Sequence, residues 1–401
     1  MLRRNNKSHT KVAHYITILA GFVIPIGSVP SARAAEVSAL SLPTGFTVPP
    51  ESEARLVTMS SDQTVAAVLQ SIDSAKRTIA VRWDSAGNRS VFTPMPVETA
   101  PDKGVSETTP MILGIVAAPG VTYVNVGVVF SGAYSGLSVE AQRWIDGAAR
   151  RWNLTGCNAG NNEDQHANGS DNNGQVAMTF DRTGGGSFQV MNDDIDTAPY
   201  AFVVNRNGCQ SRGRAVILNV RDDWASGYRG YLGSKIAPTN LNTIIQRIVA
   251  VRWRGSKLTE LGDGVAYAIT THGLAVGATA VPGRFSSETT NFFGNPGRQY
   301  KSPVPHAVAW DVAGRRRNIE MSATRSVAYD AANDGTIVGM LQNADGKHYA
   351  FRRHGGLVQR LDDLPHPPGW RFEAAYSIGE DGTIVGTGTL NNIPKVFSWR
   401  P

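Results

Sequence analysis

One pattern constrains this chain more than any other: AYDAANDGTIVG at 328–339, AYSIGEDGTIVG at 375–386 and AYAITTHGLAVG at 266–277. Recurrence of a twelve-residue block at this spacing marks a repeat protein. Such units cannot bury an apolar face alone, so neighbouring units stack to share one core. Each block is followed by a short apolar segment: HAVAW at 306–310, HYAF at 348–351 and KVFSW at 395–399. The same segment occurs upstream as AVRW at 80–83, AQRW at 141–144, YAF at 200–202 and AVRW at 250–253. Anchored on Ala80, Ala141, Ala201, Ala250, Ala307, Ala350 and Val396, the seven copies are spaced by 61, 60, 49, 57, 43 and 46 residues.

Local signals divide one repeat into four strands. The Ala-Tyr segment is the first. Asn333-Asp334-Gly335 is a turn, because Asn, Asp and Gly accept positive φ. Thr336 to Leu341 is the second strand, His348 to Arg352 the third and Leu357 to Leu361 the fourth, with a turn at His354-Gly355-Gly356. Four short strands in 43–61 residues match a propeller blade. The predicted fold is all-β: a single β-propeller of about seven four-stranded blades. Inner blade strands are covered on both faces, so Ile337-Val338-Gly339 need not alternate. The Trp that ends the third segment (Trp83, Trp144, Trp253, Trp310, Trp399) is expected in the core. The last repeat stops at Pro401 without a fourth strand. The predicted propeller is therefore closed by pairing of its N- and C-terminal segments, with Gly45 to Val48 expected to supply the missing outer strand.

The motif Ala-Tyr-x-Ile-x-x-Asp-Gly-x-Ile-Val-Gly followed by His-Ala-x-x-Trp resembles the HAF-type extracellular repeat of exported bacterial proteins. The resemblance is clear over about residues 264–401 and faint over 44–260, where the His and the turn Gly are often absent. It implies an exported β-repeat protein and brings no active site with it.

The N-terminus reads as an export signal. Arg3, Arg4, Lys7 and Lys11 precede an apolar run from Tyr15 to Val29, and Ala32-Arg33-Ala34 supplies small residues for cleavage before Ala35. The run falls short of the ~20 residues that span a bilayer. Residues 1–34 are thus a predicted signal peptide, and 35–401 the propeller. The whole chain carries 39 Lys and Arg against 33 Asp and Glu. Five of the cations lie before Ala35, which leaves 34 against 33. This balance argues against a nucleic-acid partner, and the short apolar run against stable membrane insertion. Arg315-Arg316-Arg317 is expected as a solvated turn and outer strand. Two cysteines in an exported chain favour a Cys157–Cys209 disulfide.

Turns of an antiparallel blade alternate between two faces. The first-to-second and third-to-fourth turns are short here. Length variation falls on the opposite face: Val281 to Pro305, Thr183 to Pro199, Gly230 to Asn242, and the blade-to-blade stretches Gly156 to Ser170 and Asp363 to Arg371. Long loops on a rigid scaffold are where binding usually sits. Their aromatics Trp370, Phe292, Phe293, Tyr300 and Tyr231 are the candidate ligand-binding residues, Trp370 first because Pro367-Pro368-Gly369 promises an exposed turn. No Gly-x-Ser-x-Gly, His-Glu-x-x-His or phosphate-binding Gly loop is present. Asn192-Asp193-Asp194-Ile195-Asp196 lacks the Gly and terminal Glu of a calcium loop. The sequence predicts an exported, monomeric, non-catalytic propeller that binds a glycan or protein ligand and needs no cofactor. A propeller hydrolase or lyase acting near the axis, and a structural surface protein, are the alternatives.

Overall fold

A computed structural model describes residues 35–49, 56–95, 110–130, 136–152, 164–181, 200–205, 208–232, 245–279, 304–319 and 322–401. One compact unit runs from Ala34 to Pro401. It is a seven-bladed β-propeller. The chain opens with β1 (Glu36–Leu40). Blade 1 holds β2 (Phe46–Thr47), β3 (Val57–Met59), β4 (Val65–Ser71), β5 (Thr78–Trp83) and β6 (Arg89–Val91). Blade 2 holds β7 (Met111–Ala118), β8 (Val121–Phe130), β9 (Gly136–Ile145) and β10 (Ala148–Arg151). Blade 3 holds β11 (Asp164–Ser170), β12 (Val176–Asp181), β13 (Tyr200–Asn205) and β14 (Gly208–Arg214). Blade 4 holds β15 (Val216–Arg221), β16 (Trp224–Leu232), β17 (Ile245–Arg254) and β18 (Lys257–Asp263). Blade 5 holds β19 (Val265–Ile269), β20 (Ala275–Ala278), β21 (Ala307–Trp310) and β22 (Arg316–Asn318). Blade 6 holds β23 (Arg325–Ala331), β24 (Ile337–Gln342), β25 (His348–His354) and β26 (Leu357–Arg360). Blade 7 holds β27 (Trp370–Ile378), β28 (Ile384–Leu390) and β29 (Ile393–Arg400), completed by β1. All seven sequence anchors lie on the third strand of their blades.

The ring closes as expected, with a different segment. Glu36 to Leu40, not Gly45 to Val48, pairs antiparallel with β29, from Glu36 opposite Arg400 to Leu40 opposite Val396. Ala35 is 7% exposed, and with Val37 it packs into the cluster around Phe397 and Trp399. That burial favours the earlier segment. Phe46–Thr47 instead lies on the inner edge of β4, beside β3, so two short pieces share the inner strand of blade 1. Ser41 ties the strap to blade 1, since its carbonyl accepts the Trp83 indole N–H at 3.0 Å. A second correction concerns Gly156 to Ser170: its last seven residues, Asp164–Ser170, form β11 and not a loop.

The repeat motif has a geometric cause. In blades 2 to 7 the inner strand is bulged, with an unpaired residue at Leu113, Asn168, Leu218, Tyr267, Tyr329 and Tyr376, and blade 7 has a second at Glu373. The motif tyrosine is thus the bulge residue. The bulge pushes the backbone towards the facing strand. A Cβ on Gly339 would sit 2.0 Å from the Val327 carbonyl oxygen and 2.7 Å from the Phe351 ring, so only glycine fits. The motif Asp closes the turn. Asp334 accepts the Thr336 N–H at 2.7 Å and its hydroxyl at 2.8 Å, while Gly335 takes φ +85°.

Between blades, Trp83, Trp144, Trp253, Trp310 and Trp399 are all buried. The Arg82 guanidinium stacks 4.5 Å over Trp144 of the next blade, and Arg352 lies 5.5 Å over Trp399 in the same way. Arg315, Arg316 and Arg317 are a turn and exposed outer strand, with Arg315 paired to Asp311 at 2.7 Å.

Candidate functional site

The two faces of the ring are built differently. On the face of the first-to-second turns, hydrogen bonds run from blade to blade all the way round. Gly120 donates its N–H to Asp62 (3.0 Å), joining blades 1 and 2. The Ser170 hydroxyl donates to the Ala117 carbonyl (2.7 Å), joining 2 and 3. The Asn173 amide donates to Asp222 (2.7 Å), joining 3 and 4. Arg252 donates to the Gly273 carbonyl (2.9 Å) and packs 5.3 Å from the Trp224 ring centre, joining 4 and 5. Thr271 donates its N–H (2.9 Å) and hydroxyl (2.8 Å) to Asn333, joining 5 and 6. Asn333 donates its N–H to Glu380 (2.9 Å), joining 6 and 7. Gln63 donates to Asp381 (2.9 Å), joining 7 back to 1. Here the Asn, Asp and Gly of the motif are consumed in structure. Asp62 shows the electrostatic consequence: burial would raise its pKa, but donors from Ser60, Gly120 and Thr64 outweigh it and hold the carboxyl below its ordinary value.

The bulged tyrosines stack in series, Tyr267 to Tyr329 at 5.8 Å and Tyr329 to Tyr376 at 4.9 Å between ring centres. They pack onto the cluster of Val57, Met59, Ile115 and Met340. Burial pushes the Tyr376 phenol up to about 12, against a hydrogen bond with Thr387. A phenol so placed is a packing group and no acid–base catalyst near neutrality.

The opposite face receives the ends of β12 and β13, of β16 and β17, of β20 and β21, and every blade-to-blade connection. The longer stretches outside the described residues, 96–109, 153–163, 182–199, 233–244 and 280–303, and the shorter 131–135 and 320–321, are flanked by strand ends on this face. Phe292, Phe293 and Tyr300 lie within 280–303, outside the described residues, as do Cys157 and Asn192 to Asp196. Tyr231 sits near this end of β16, opposite Arg247 in register. Cys209 lies on β14 opposite Val204, against the cluster that joins blades 2 and 3.

Trp370 departs from expectation. Its side chain is 9% exposed, stacked on Phe372 at 5.6 Å with 8° between planes, and edge-on to Phe397. The Pro-Pro-Gly turn is exposed, but the residue after it begins β27 and folds its ring under the sheet. Core packing accounts for Trp370 without a ligand. The same face carries apolar side chains that sequence reading did not single out: Ile72 (65% exposed), Ile393 (57%), Met111, Leu113 and Val304. Ile72 and Ile393 occupy second-to-third turns, where periodicity gives no signal. Among the described residues no group of three His, Cys, Asp or Glu side chains could hold a metal.

No protein-family model and no curated protein matches the chain. Solved structures do. The β-propeller domain of the Trilobed protease from Pyrococcus furiosus is 10% identical, with a TM-score of 0.43 over 92% of this chain and 96% of that one. A gluconolactonase from Xanthomonas campestris is 10% identical, with a TM-score of 0.35 over 91% of this chain and 89% of that one. A fucose-specific lectin from Aleuria aurantia is 9% identical, with a TM-score of 0.33 over 78% of this chain and 96% of that one.

Proposed function

We propose that the protein is an exported binding propeller that takes a glycan or protein ligand on its long-connection face and performs no covalent chemistry there. The observation that carries this reading is the contrast between the faces. One is tied turn to turn around the whole ring, its motif side chains committed to that role. The other receives the long connections, while exposed large apolar side chains lie on both faces, Val312 and Leu357 on the turn face and Ile72 and Ile393 opposite. A scaffold with one invested face and one variable face is how binding modules separate stability from recognition. Export is supported by the basic and apolar N-terminus and by the start of the compact unit at Ala34, beside the expected cleavage point. Phe292, Phe293, Tyr300 and Tyr231 are the aromatic contacts assigned to the ligand, without Trp370.

The segment 280–303 allows a clean test, because Thr279 and His306 already face each other. The Thr279 N–H donates to the His306 carbonyl at 3.0 Å, and its hydroxyl accepts the His306 N–H at 3.0 Å. Replacing 281–303 by a short Asn-Gly linker therefore leaves blade 5 its strand pairing. Mature protein and this variant are compared on immobilised glycans and in capture from extracellular extracts. The reading expects a ligand retained by the mature protein and lost by the variant. Retention by both, or by neither, contradicts it.

A further inference from the structure

Near the axis, each blade meets the next through the residue after its inner-strand bulge and the residue opposite it on the second strand. At the joint of blades 6 and 7 these are Asp330 and Val338. Asp330 accepts the hydroxyl of Ser377, the residue after the Tyr376 bulge of blade 7, at 2.8 Å. At the joint of blades 2 and 3 they are Gly114 and Asn125. The Asn125 amide crosses to the next blade, accepting the Ala167 N–H at 2.9 Å and donating to the Ala167 carbonyl at 2.8 Å. Gly114 makes room for it, since a Cβ there would lie 2.9 Å from the Asn125 amide nitrogen. In both rows the polar side chain finds its partners across the joint.

The joint of blades 4 and 5 has the same register and neither solution. Its row is Asn219 and Ser226, opposite each other and 2% and 0% exposed. Asn219 Oδ1 and Ser226 Oγ are buried without a hydrogen-bond partner among the described residues. Ser226 stands where Asn125 stands in blade 2, but its short side chain reaches no atom of blade 5. Blade 5 presents Ala266 where blade 3 has Ala167, and Ala268 where blade 7 has Ser377. Both alanines are buried. The row continues outward to Arg252, opposite Ser226. Arg252 donates to the blade 5 carbonyls of Gly273 at 2.9 Å and Asp311 at 2.7 Å. Directly opposed residues of antiparallel strands share a face, so Asn219 and Ser226 face blade 5 with it.

We propose that this joint binds an internal water, which donates one hydrogen to Asn219 Oδ1 and hydrogen-bonds the Ser226 hydroxyl, at the place that the Asn125 amide takes between blades 2 and 3. Burying an acceptor and a hydroxyl unpaired costs more than immobilising one water. Water suits the pair because it both donates and accepts. A metal cation does not. The Arg252 guanidinium lies in the same row, and the Asp311 carboxylate is held by Arg315 at 2.7 Å. Three side chains set the difference from the other joints: Asn219, Ser226 and Ala268.

Oxygen-17 relaxation dispersion of water in solutions of the mature chain counts internal waters of long residence. Ala268→Ser supplies the hydroxyl that Ser377 supplies in blade 7. Asn219→Gly combined with Ser226→Asn rebuilds the row of blade 2. Each is expected to lower the count by about one water per molecule. An unchanged count in both folded variants overturns the proposal. A crystal structure of the natural mature chain decides the same point without substitution. An ordered water within hydrogen-bond distance of both Asn219 Oδ1 and Ser226 Oγ supports the proposal, and its absence from well-defined density there overturns it.

Discussion

Asp330 joins blades 6 and 7, and its removal tests whether such polar clasps hold the ring. Its side chain is 1% exposed. One carboxyl oxygen accepts the Ser377 hydroxyl at 2.8 Å and the Ile378 N–H at 3.1 Å, both on β27, and the other accepts the Ala331 N–H at 2.9 Å. Asp330→Ala leaves those donors buried without that acceptor, and each orphaned buried donor costs about 1–3 kcal/mol. The serine hydroxyl can rotate to another acceptor, so the expected loss is about 3–5 kcal/mol, in the range found when a buried charged partner is deleted. Asp330→Asn keeps an accepting oxygen and should lose about half as much. Ser377→Ala removes one donor together with its need, at a cost of about 1 kcal/mol. The double variant should fall short of the sum, because both changes act on one network. Urea unfolding of residues 35–401, followed by tryptophan fluorescence, gives these differences from the midpoints. A loss below about 1 kcal/mol for Asp330→Ala, or strict additivity with Ser377→Ala, would refute the reasoning.

Three further outcomes follow from the same structure. Gly339→Ala forces a methyl against the Val327 carbonyl and should lower stability by about 1–3 kcal/mol in the same urea assay, whereas Gly346→Ala, with nothing within 4 Å, pays only for its φ of +77°. Burial raises the Asp362 pKa, so the folded state favours its proton and stability from this group is lost as pH rises through the folded value; Asp362→Asn should therefore gain in melting temperature relative to the natural chain at pH 7 and not at pH 3. Peptide mapping without reduction should recover a Cys157–Cys209 linked pair, and breaking that bridge should lower the melting temperature, since closing a loop of ~50 residues contributes about 4 kcal/mol by chain entropy.

The parts of the fold that local chemistry dictates could be read in advance. Trp near the end of five of the seven third strands, and Asn, Asp and Gly at positive-φ turns, depend on near neighbours, so the anchors and the strand divisions of blade 6 fell where the motif placed them. Features set by distant partners could not be read. The β11 sequence DQHANGS has no β-branched or aromatic residue. It is a strand because Asn125, from blade 2, accepts the Ala167 N–H at 2.9 Å and donates to the Ala167 carbonyl at 2.8 Å. The closing strand depends on burial of Ala35 and Val37 beside Trp399, three hundred and more residues away. Trp370 reads as exposed because its turn is exposed, and is buried because Phe372 and Phe397 lie beneath it. For the candidate site, the sequence indicated a face from loop lengths but not the belt of blade-to-blade hydrogen bonds on the turn face.

The account rests on that division of labour, and a paired comparison tests it most directly. Asn333→Ala and Asp381→Ala cut belt contacts at 2.8–2.9 Å on the turn face, and replacing 281–303 alters only the opposite face. Melting temperature and ligand retention are measured for each variant beside the mature protein. The account predicts that the turn-face variants melt earlier and keep the ligand, while the shortened variant melts near the original temperature and loses it. Loss of the ligand in the turn-face variants, with retention by the shortened one, would place recognition on the turn face and contradict the account.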